Sequence, residues 1–209
     1  MRDDVLDQPQ RAALRALKPA AAHGYYLAGG TALCMHLAHR LSVDLDLFRT
    51  EAFDAGAMVS DLTAAGVGLT SVTTSRSTVH GLVQGVPTSL LCFPYPTLDA
   101  PQPSPEGLPV AGLRDIAAMK IEAIASRGAR KDFYDLYFIG QSGLSLRQSI
   151  AAYEERFAAA RPDLYHRLRG LTFFDDAERE PDPKLLRPAT WDEVRAYFVS
   201  QVREIWSGS

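Results

Sequence analysis

A chain of 209 residues with 46% apolar content is long enough to bury a sizeable core, as one large domain or as two small lobes. Its formal charge of -3 argues against a broadly basic nucleic-acid-binding surface, although clustered Arg and Lys side chains remain compatible with RNA. Two cysteines, Cys34 and Cys92, fit reduced thiols better than a disulfide scaffold. No apolar run approaches the ~20 residues of a membrane helix, and Met1 to Val5 lacks the basic-then-apolar pattern of a leader, so the expectation is a cytoplasmic protein without a membrane partner.

In chain order, residues 9 to 19 read as a helix. Tyr25 to Ala28 then read as a short strand, broken by Gly29 and Gly30, and Thr31 to Ala38 as a helix that starts at once. Strand, glycines and helix make an anion cradle: glycine lets the backbone approach a phosphate, while free N–H groups and the helix dipole favour negative charge. Next, Val43, Leu45 and Leu47 alternate with Asp44 and Asp46. A period of two sends the two sets to opposite faces of a sheet, so both carboxylates share a face, about 6 to 7 Å apart at Cα. Such a pair suits magnesium, a hard cation usually held by one or two carboxylates together with substrate phosphates and water. Two such ions can clamp the attacking and leaving oxygens of a displacement. The plainer alternative is the wet face of an edge strand.

Asp54 is placed to cap a helix from Ala55 to Ala65, ended by Gly66. Leu69 to Thr78, Val79 to Gln84 and Thr88 to Phe93 read as β, the last two joined through Gly85. Pro94, Pro96, Pro101, Pro103, Pro105 and Pro109 then crowd a segment that resists both helix and interior strand, which places a lobe boundary there. Everything after Gly112 reads as helical, with capping-box pairs Ser145/Gln148 and Thr190/Glu193 opening two later helices, and Trp191 and Trp206 expected to anchor the last one.

Within the helical half, Ile116, Ala117 and Ile124 mark an apolar stripe that also carries Lys120. Lysine is rarely buried unpaired, so Lys120 is expected to meet a carboxylate, a phosphate or an open cleft, or to run its stem past the core edge. Asp132 and Asp135, three apart, share a helical face; they serve either a site or surface pairing with Arg127, Arg130 or Lys131. Arg40 and Ser42 precede the Asp-x-Asp strand and are candidates for phosphate. His36 and His39 lack a third ligand at zinc-like spacing and read as packing or surface residues.

Tyr26-Leu27-Ala28-Gly29-Gly30-Thr31-Ala32-Leu33, His39 to Phe48, Lys120, Arg127 and Arg130 to Tyr137 together resemble the AbiEii-type (abortive infection) nucleotidyltransferases, a branch of the polymerase-beta-like superfamily. The resemblance implies an α+β fold, with a nucleotidyltransferase lobe over residues 1 to 110 (a mixed sheet with helices on one side) and a mainly helical lobe over 111 to 209 that completes a cleft. It also implies an NTP substrate, Mg2+ and a group that includes toxins with cognate antitoxins. Gly29, Gly30, Thr31, Arg40, Ser42 and Lys120 would then bind nucleotide. Asp44 and Asp46 would hold the metal, and Asp132 would orient or deprotonate the acceptor hydroxyl, with Asp135 the second candidate. The acceptor would be an RNA such as tRNA, a protein or a small molecule. One departure stands out. Many polymerase-beta-like enzymes carry a third carboxylate on a neighbouring strand, and Thr88 to Phe93 has none, so either Asp132 or Asp135 replaces it or the chain is a catalytically weak nucleotide-binding or regulatory module. Asp-x-Asp also occurs in haloacid-dehalogenase-type phosphatases and in glycosyltransferases; the first leaves the glycine turn unexplained and the second commonly needs a longer chain.

Overall fold

The computed structural model describes residues 4–160 and 163–207; Met1 to Asp3, part of the segment read as lacking a leader, lie outside them. Contacts divide the chain into two compact units. One comprises the residues up to His36 together with Ser42–Gly112, the other Leu37–Leu41 together with the residues from Leu113 onward.

The first unit is built on a five-stranded mixed sheet. Its elements are helix α1 (Gln8–Ala16), a 3-10 segment (Lys18–His23), β1 (Tyr26–Ala28), α2 (Gly29–Leu37), β2 (Leu45–Arg49), α3 (Ala55–Ala64), β3 (Leu69–Ser75), β4 (Thr78–Val83) and β5 (Val86–Cys92). Strand order is β1-β2-β5-β4-β3, with β2 and β5 parallel and every other pair antiparallel. Leu27, Leu47, Leu90 and Val79 pair in one row across four strands and are all fully buried. The adjacent row, Asp46, Ser89 and His80, is half-buried to exposed, so one face of the sheet carries the core and the other is open from β2 to β4, while Tyr26 and Ala28 at its β1 end are buried. Helix α3 packs on β3 and β4, and α1 on β5. Asp54 caps α3 by accepting from the Ala57 amide. The proline-rich segment is not idle coil: the Leu27 amide donates to Pro109 and the Ala111 amide to Leu27, which covers the outer side of β1.

The second unit contains α4 (Leu113–Arg127), α5 (Arg130–Gln141), α6 (Leu146–Arg156), α7 (Leu164–Gly170) and α8 (Trp191–Ser207). Both expected capping boxes are formed, at Ser145/Gln148 and Thr190/Glu193. Helix α4 is buried on more than one face, including Asp115, Lys120 and Ile121 as well as the Ile116, Ala117 and Ile124 stripe. Trp191 packs with Phe133 and Phe174 at the start of α8, whereas Trp206 is 46% exposed and meets only the edge of the exposed Tyr165 ring among the described aromatic contacts; one tryptophan anchors the helix and the other lies on its surface. The segment 37–41 runs antiparallel to Leu185, with the Leu41 amide donating to Lys184 and the Leu186 amide to His39. Among the described residues, no helix is long and apolar enough to cross a membrane.

Candidate active site

In the sheet unit the glycine turn and the carboxylate strand meet. Gly29 has φ +70, a left-handed conformation that glycine adopts without steric cost. A Cβ built on it would lie 3.0 Å from Oδ2 of Asp46. The missing side chain therefore does two things: it permits the sharp strand-to-helix turn, and it lets the start of α2 lie directly against the Asp46 carboxylate. Thr31, almost wholly buried, donates its hydroxyl to the backbone carbonyl of Asp44 at 2.5 Å, which ties the helix start to the chain entering β2. Gln10 of α1 donates to the Ser42 carbonyl at 2.6 Å and fixes the same segment from the other side.

The ladder begins later than the alternation suggests. β2 starts at Leu45, and Val43 is 67% exposed, so Asp44 is an exposed residue just ahead of the strand while Asp46 lies within it, half-buried. Asp44 and Asp46 offer hard oxygen donors, and the bare Cα of Gly29 beside Asp46 leaves room for no side chain there; this donor set fits a magnesium-type cation. Among the described residues, no group of three or more His, Cys, Asp or Glu side chains is arranged to hold a metal. A cation at Asp44 and Asp46 would thus depend on substrate phosphates and water for its remaining ligands.

The helical unit gathers the other candidates into one buried network. Asp135, fully buried, accepts from Arg40 Nε at 2.6 Å and Nη2 at 2.8 Å and from His39 Nε2 at 2.7 Å. Its Oδ2 also lies 2.6 Å from Lys120 Nζ. Lys120, 5% exposed, donates at 2.7 Å to Asp132, and Asp132 accepts from Arg127 Nε at 2.8 Å and Nη2 at 3.0 Å. Burial alone would push both aspartates up, but the neighbouring cations outweigh it. Asp132 is held below the usual carboxylate range by Lys120 and Arg127, and Asp135 well below it by Lys120 and Arg40. Burial likewise works against a charged Lys120, yet the two carboxylates raise its pKa and keep the ammonium. His39 goes the other way: burial lowers its pKa despite the bond to Asp135, so it is neutral and donates through Nε2.

Within the sheet unit the structure thus brings Gly29 against Asp46 and Thr31 onto the Asp44 backbone, with Gly30 between them at the start of α2 and Ser42 tied to α1. Within the helical unit it brings Lys120, Asp132, Asp135 and Arg40 together. His39, which reads from the sequence as a packing or surface residue, is a buried member of that network; the sequence signals for it are its place immediately before Arg40 and at the start of the motif run His39 to Phe48. Ser89 is the cross-strand neighbour of Asp46 and His80 the next residue in that row; no sequence signal marks them, because their placement depends on the parallel pairing of β2 with β5.

Three comparisons bear on this geometry. A family model described as "Nucleotidyl transferase AbiEii toxin, Type IV TA system" matches residues 12–81 and 74–206. An uncharacterized Aquifex aeolicus protein, aq_aa25, is 32% identical over 207 residues, covering 95% of this chain and 97% of its own length. Two Helicobacter pylori crystal structures share the fold. One is of a protein provisionally named a nucleotidyltransferase, with a TM-score of 0.52, 16% identity, and coverage of 100% of this chain and 97% of that one. The other is JHP933, with a TM-score of 0.51, 15% identity, and coverage of 100% and 94%.

Proposed function

This chain belongs to the AbiEii nucleotidyl transferase toxin family, and from that premise we propose that it is a magnesium-dependent nucleotidyltransferase that moves NMP from an NTP to a hydroxyl of an RNA, a protein or a small molecule. The observation that carries the reading is the close approach of Gly29 to the Asp46 carboxylate, which sets a helix N-terminus beside a pair of hard-cation ligands. Gly29, Gly30 and the following backbone amides would receive triphosphate oxygens. Thr31 holds the turn through Asp44 and keeps the cradle and the carboxylates in register. Asp44 and Asp46 would hold Mg2+, which when bound neutralises phosphate charge and orients the phosphoryl group. The remaining catalysis is positioning and electrostatics, as transfers at phosphorus demand.

Roles in the helical unit follow from the network. Lys120 is charged, and for its ammonium to meet a phosphate it must exchange Asp132 or Asp135 for a phosphate oxygen; we assign it that exchange. Asp132, with its pKa lowered, is a weak base, and general-base efficiency favours a pKa near the working pH, so its role is to orient. Arg40 is gripped by Asp135 within the helical unit, so it too would have to exchange that carboxylate to meet a phosphate. A toxin role would bring a cognate antitoxin as partner.

The test is transfer of label. The full chain is incubated with Mg2+, each α-labelled NTP, total tRNA and cell lysate, beside Asp46→Ala. Labelled acceptor with the wild type and none with the variant is the expected result; no transfer by the wild type to any acceptor sinks the enzyme reading, and equal transfer by the variant sinks the site.

A further inference from the structure

The register of the sheet sets a row of side chains on its open face. Ala28, Asp46, Ser89, His80 and Thr73 are successive partners across β1, β2, β5, β4 and β3. Residues paired across neighbouring strands share a face, and the next row, Leu27, Leu47, Leu90 and Val79, is buried, so Asp46, Ser89 and His80 look out together. Strands are spaced about 4.8 Å apart, which puts Ser89 one strand and His80 two strands, roughly 10 Å, from the Asp46 backbone. Nδ1 of His80 and Oγ of Ser89 are 3.1 Å apart. Ser89 is only half-buried and His80 is exposed.

That row has a chemical gap and a means of filling it. Transfer to a hydroxyl releases a proton at the attacking oxygen, and a basic group beside the metal ligands speeds the step by taking it. β5, the strand next to Asp46, has no acid in Val86–Cys92, and on the other side of Asp46 the row offers only Ala28. An imidazole hydrogen-bonded to a serine that stands directly beside Asp46 is a group on this face able to accept a proton and pass it to water.

We infer that Ser89 and His80 form a proton relay for the acceptor hydroxyl, an inference that rests on the nucleotidyl-transfer reading. In the step, the acceptor oxygen forms a bond to the α-phosphorus as the bond from that phosphorus to the bridging oxygen of the β-phosphate breaks and pyrophosphate leaves. The acceptor proton passes to Ser89 Oγ while the Ser89 proton passes to His80 Nδ1. The imidazolium, exposed at the open face, then returns a proton to solvent. The relay requires the His80 tautomer with hydrogen on Nε2, so that Nδ1 accepts from Ser89.

The test uses the full chain with Mg2+, α-labelled NTPs and the same tRNA and lysate acceptors, and adds titration with Mn2+ alone. His80→Gln is expected to lower kcat by about 10²- to 10⁴-fold with little change in KM for NTP, in Mn2+ affinity or in Tm. Ser89→Ala should match that loss, and the double variant should be no worse than either, as for residues that act as a unit. Ser89→Asp placed in the His80→Gln background supplies a carboxylate beside Asp46 and should recover activity to within about tenfold of wild type. A His80→Gln enzyme with wild-type kcat, or one whose loss tracks weaker Mn2+ binding, overturns the relay in favour of a plain cross-strand pair or a metal ligand. Asp46→Asn separates the two levels: if it is inactive while His80→Gln keeps full activity, only the relay falls, and if the wild type itself transfers nothing, the transfer reading falls and the relay with it.

Discussion

Replacing Asp135 by Asn tests how strongly the helical unit depends on its buried charges. The carboxylate receives both arms of Arg40, the Nε2–H of His39 and, through Oδ2, the ammonium of Lys120, and it is fully buried. An amide keeps one acceptor oxygen but removes the charge and presents N–H groups to donors. Removing one partner of a buried ion pair typically costs about 3–5 kcal/mol, and with two cations facing Asp135 the upper part of that range, about 4–5 kcal/mol, is expected. That is a large share of the ~5–15 kcal/mol that holds a domain folded. Asp132→Asn should cost less, about 2–3 kcal/mol, because its partner Arg127 has a side chain 55% exposed and can turn to water. Urea unfolding followed by circular dichroism measures both through the midpoint at constant m. The double variant Asp135→Asn with Lys120→Met should be less unstable than the sum of its parts, since it removes the orphaned ammonium along with its acceptor. A loss below about 1 kcal/mol for Asp135→Asn, or simple additivity in the double variant, would refute the network as described.

Two further predictions concern other parts of the molecule. Gly29→Ala must adopt a left-handed φ at a cost of about 1–2 kcal/mol and press its Cβ on the Asp46 carboxylate, so Mn2+ affinity measured by titration should fall along with stability; unchanged affinity would separate Gly29 from the carboxylate site. His39 sets a pH dependence. Its folded pKa is depressed by burial, so below ~6.5 the unfolded chain takes up a proton that the folded chain refuses, and stability falls with pH from there toward the depressed value. His36, depressed by burial against its bond to Ala111, acts in the same direction. Asp135 and Asp132 act lower, their contributions being lost only as pH falls below ~3.9 toward their own depressed values. Urea midpoints at pH 7.5, 6 and 5 should show a slope that His39→Gln reduces, with Asp135, Arg40 and Lys120 as the charged groups around it; an identical slope in the variant contradicts the reading.

What could be read from the sequence was mostly local chemistry. Asp54, Ser145 and Thr190 announce helix starts because a short polar side chain bonds an amide within three residues, and Gly85 announces a turn because glycine reaches positive φ without steric cost, as it does here at +78. Gly29 was legible for the same reason, as a break that only glycine makes cheaply. The nucleotidyltransferase fold itself came from the resemblance of the motifs, and the family match and shared folds agree with it. Long-range pairing was not legible. The spacing of Asp132 and Asp135 shows that they share a helical face, but not that Arg40, distant in sequence, spans one of them with both arms. Segment 37–41 reads as the end of one helix and the approach to a strand, yet it clusters with the helical unit because His39 and Arg40 are held there. Ser89 alternates with Leu90 in the sequence, but its position beside Asp46 depends on β5 lying parallel to β2, and no local pattern encodes which strand is the neighbour.

Diffraction from crystals soaked with Mn2+ and a non-hydrolysable NTP, read by the anomalous signal of manganese, tests the two-carboxylate site most directly. The expected result is manganese bound by oxygens of Asp44 and Asp46 at about 2.0–2.2 Å, with the triphosphate on the amides that follow Gly29. Manganese elsewhere, or nucleotide bound with neither carboxylate on the metal, would contradict it.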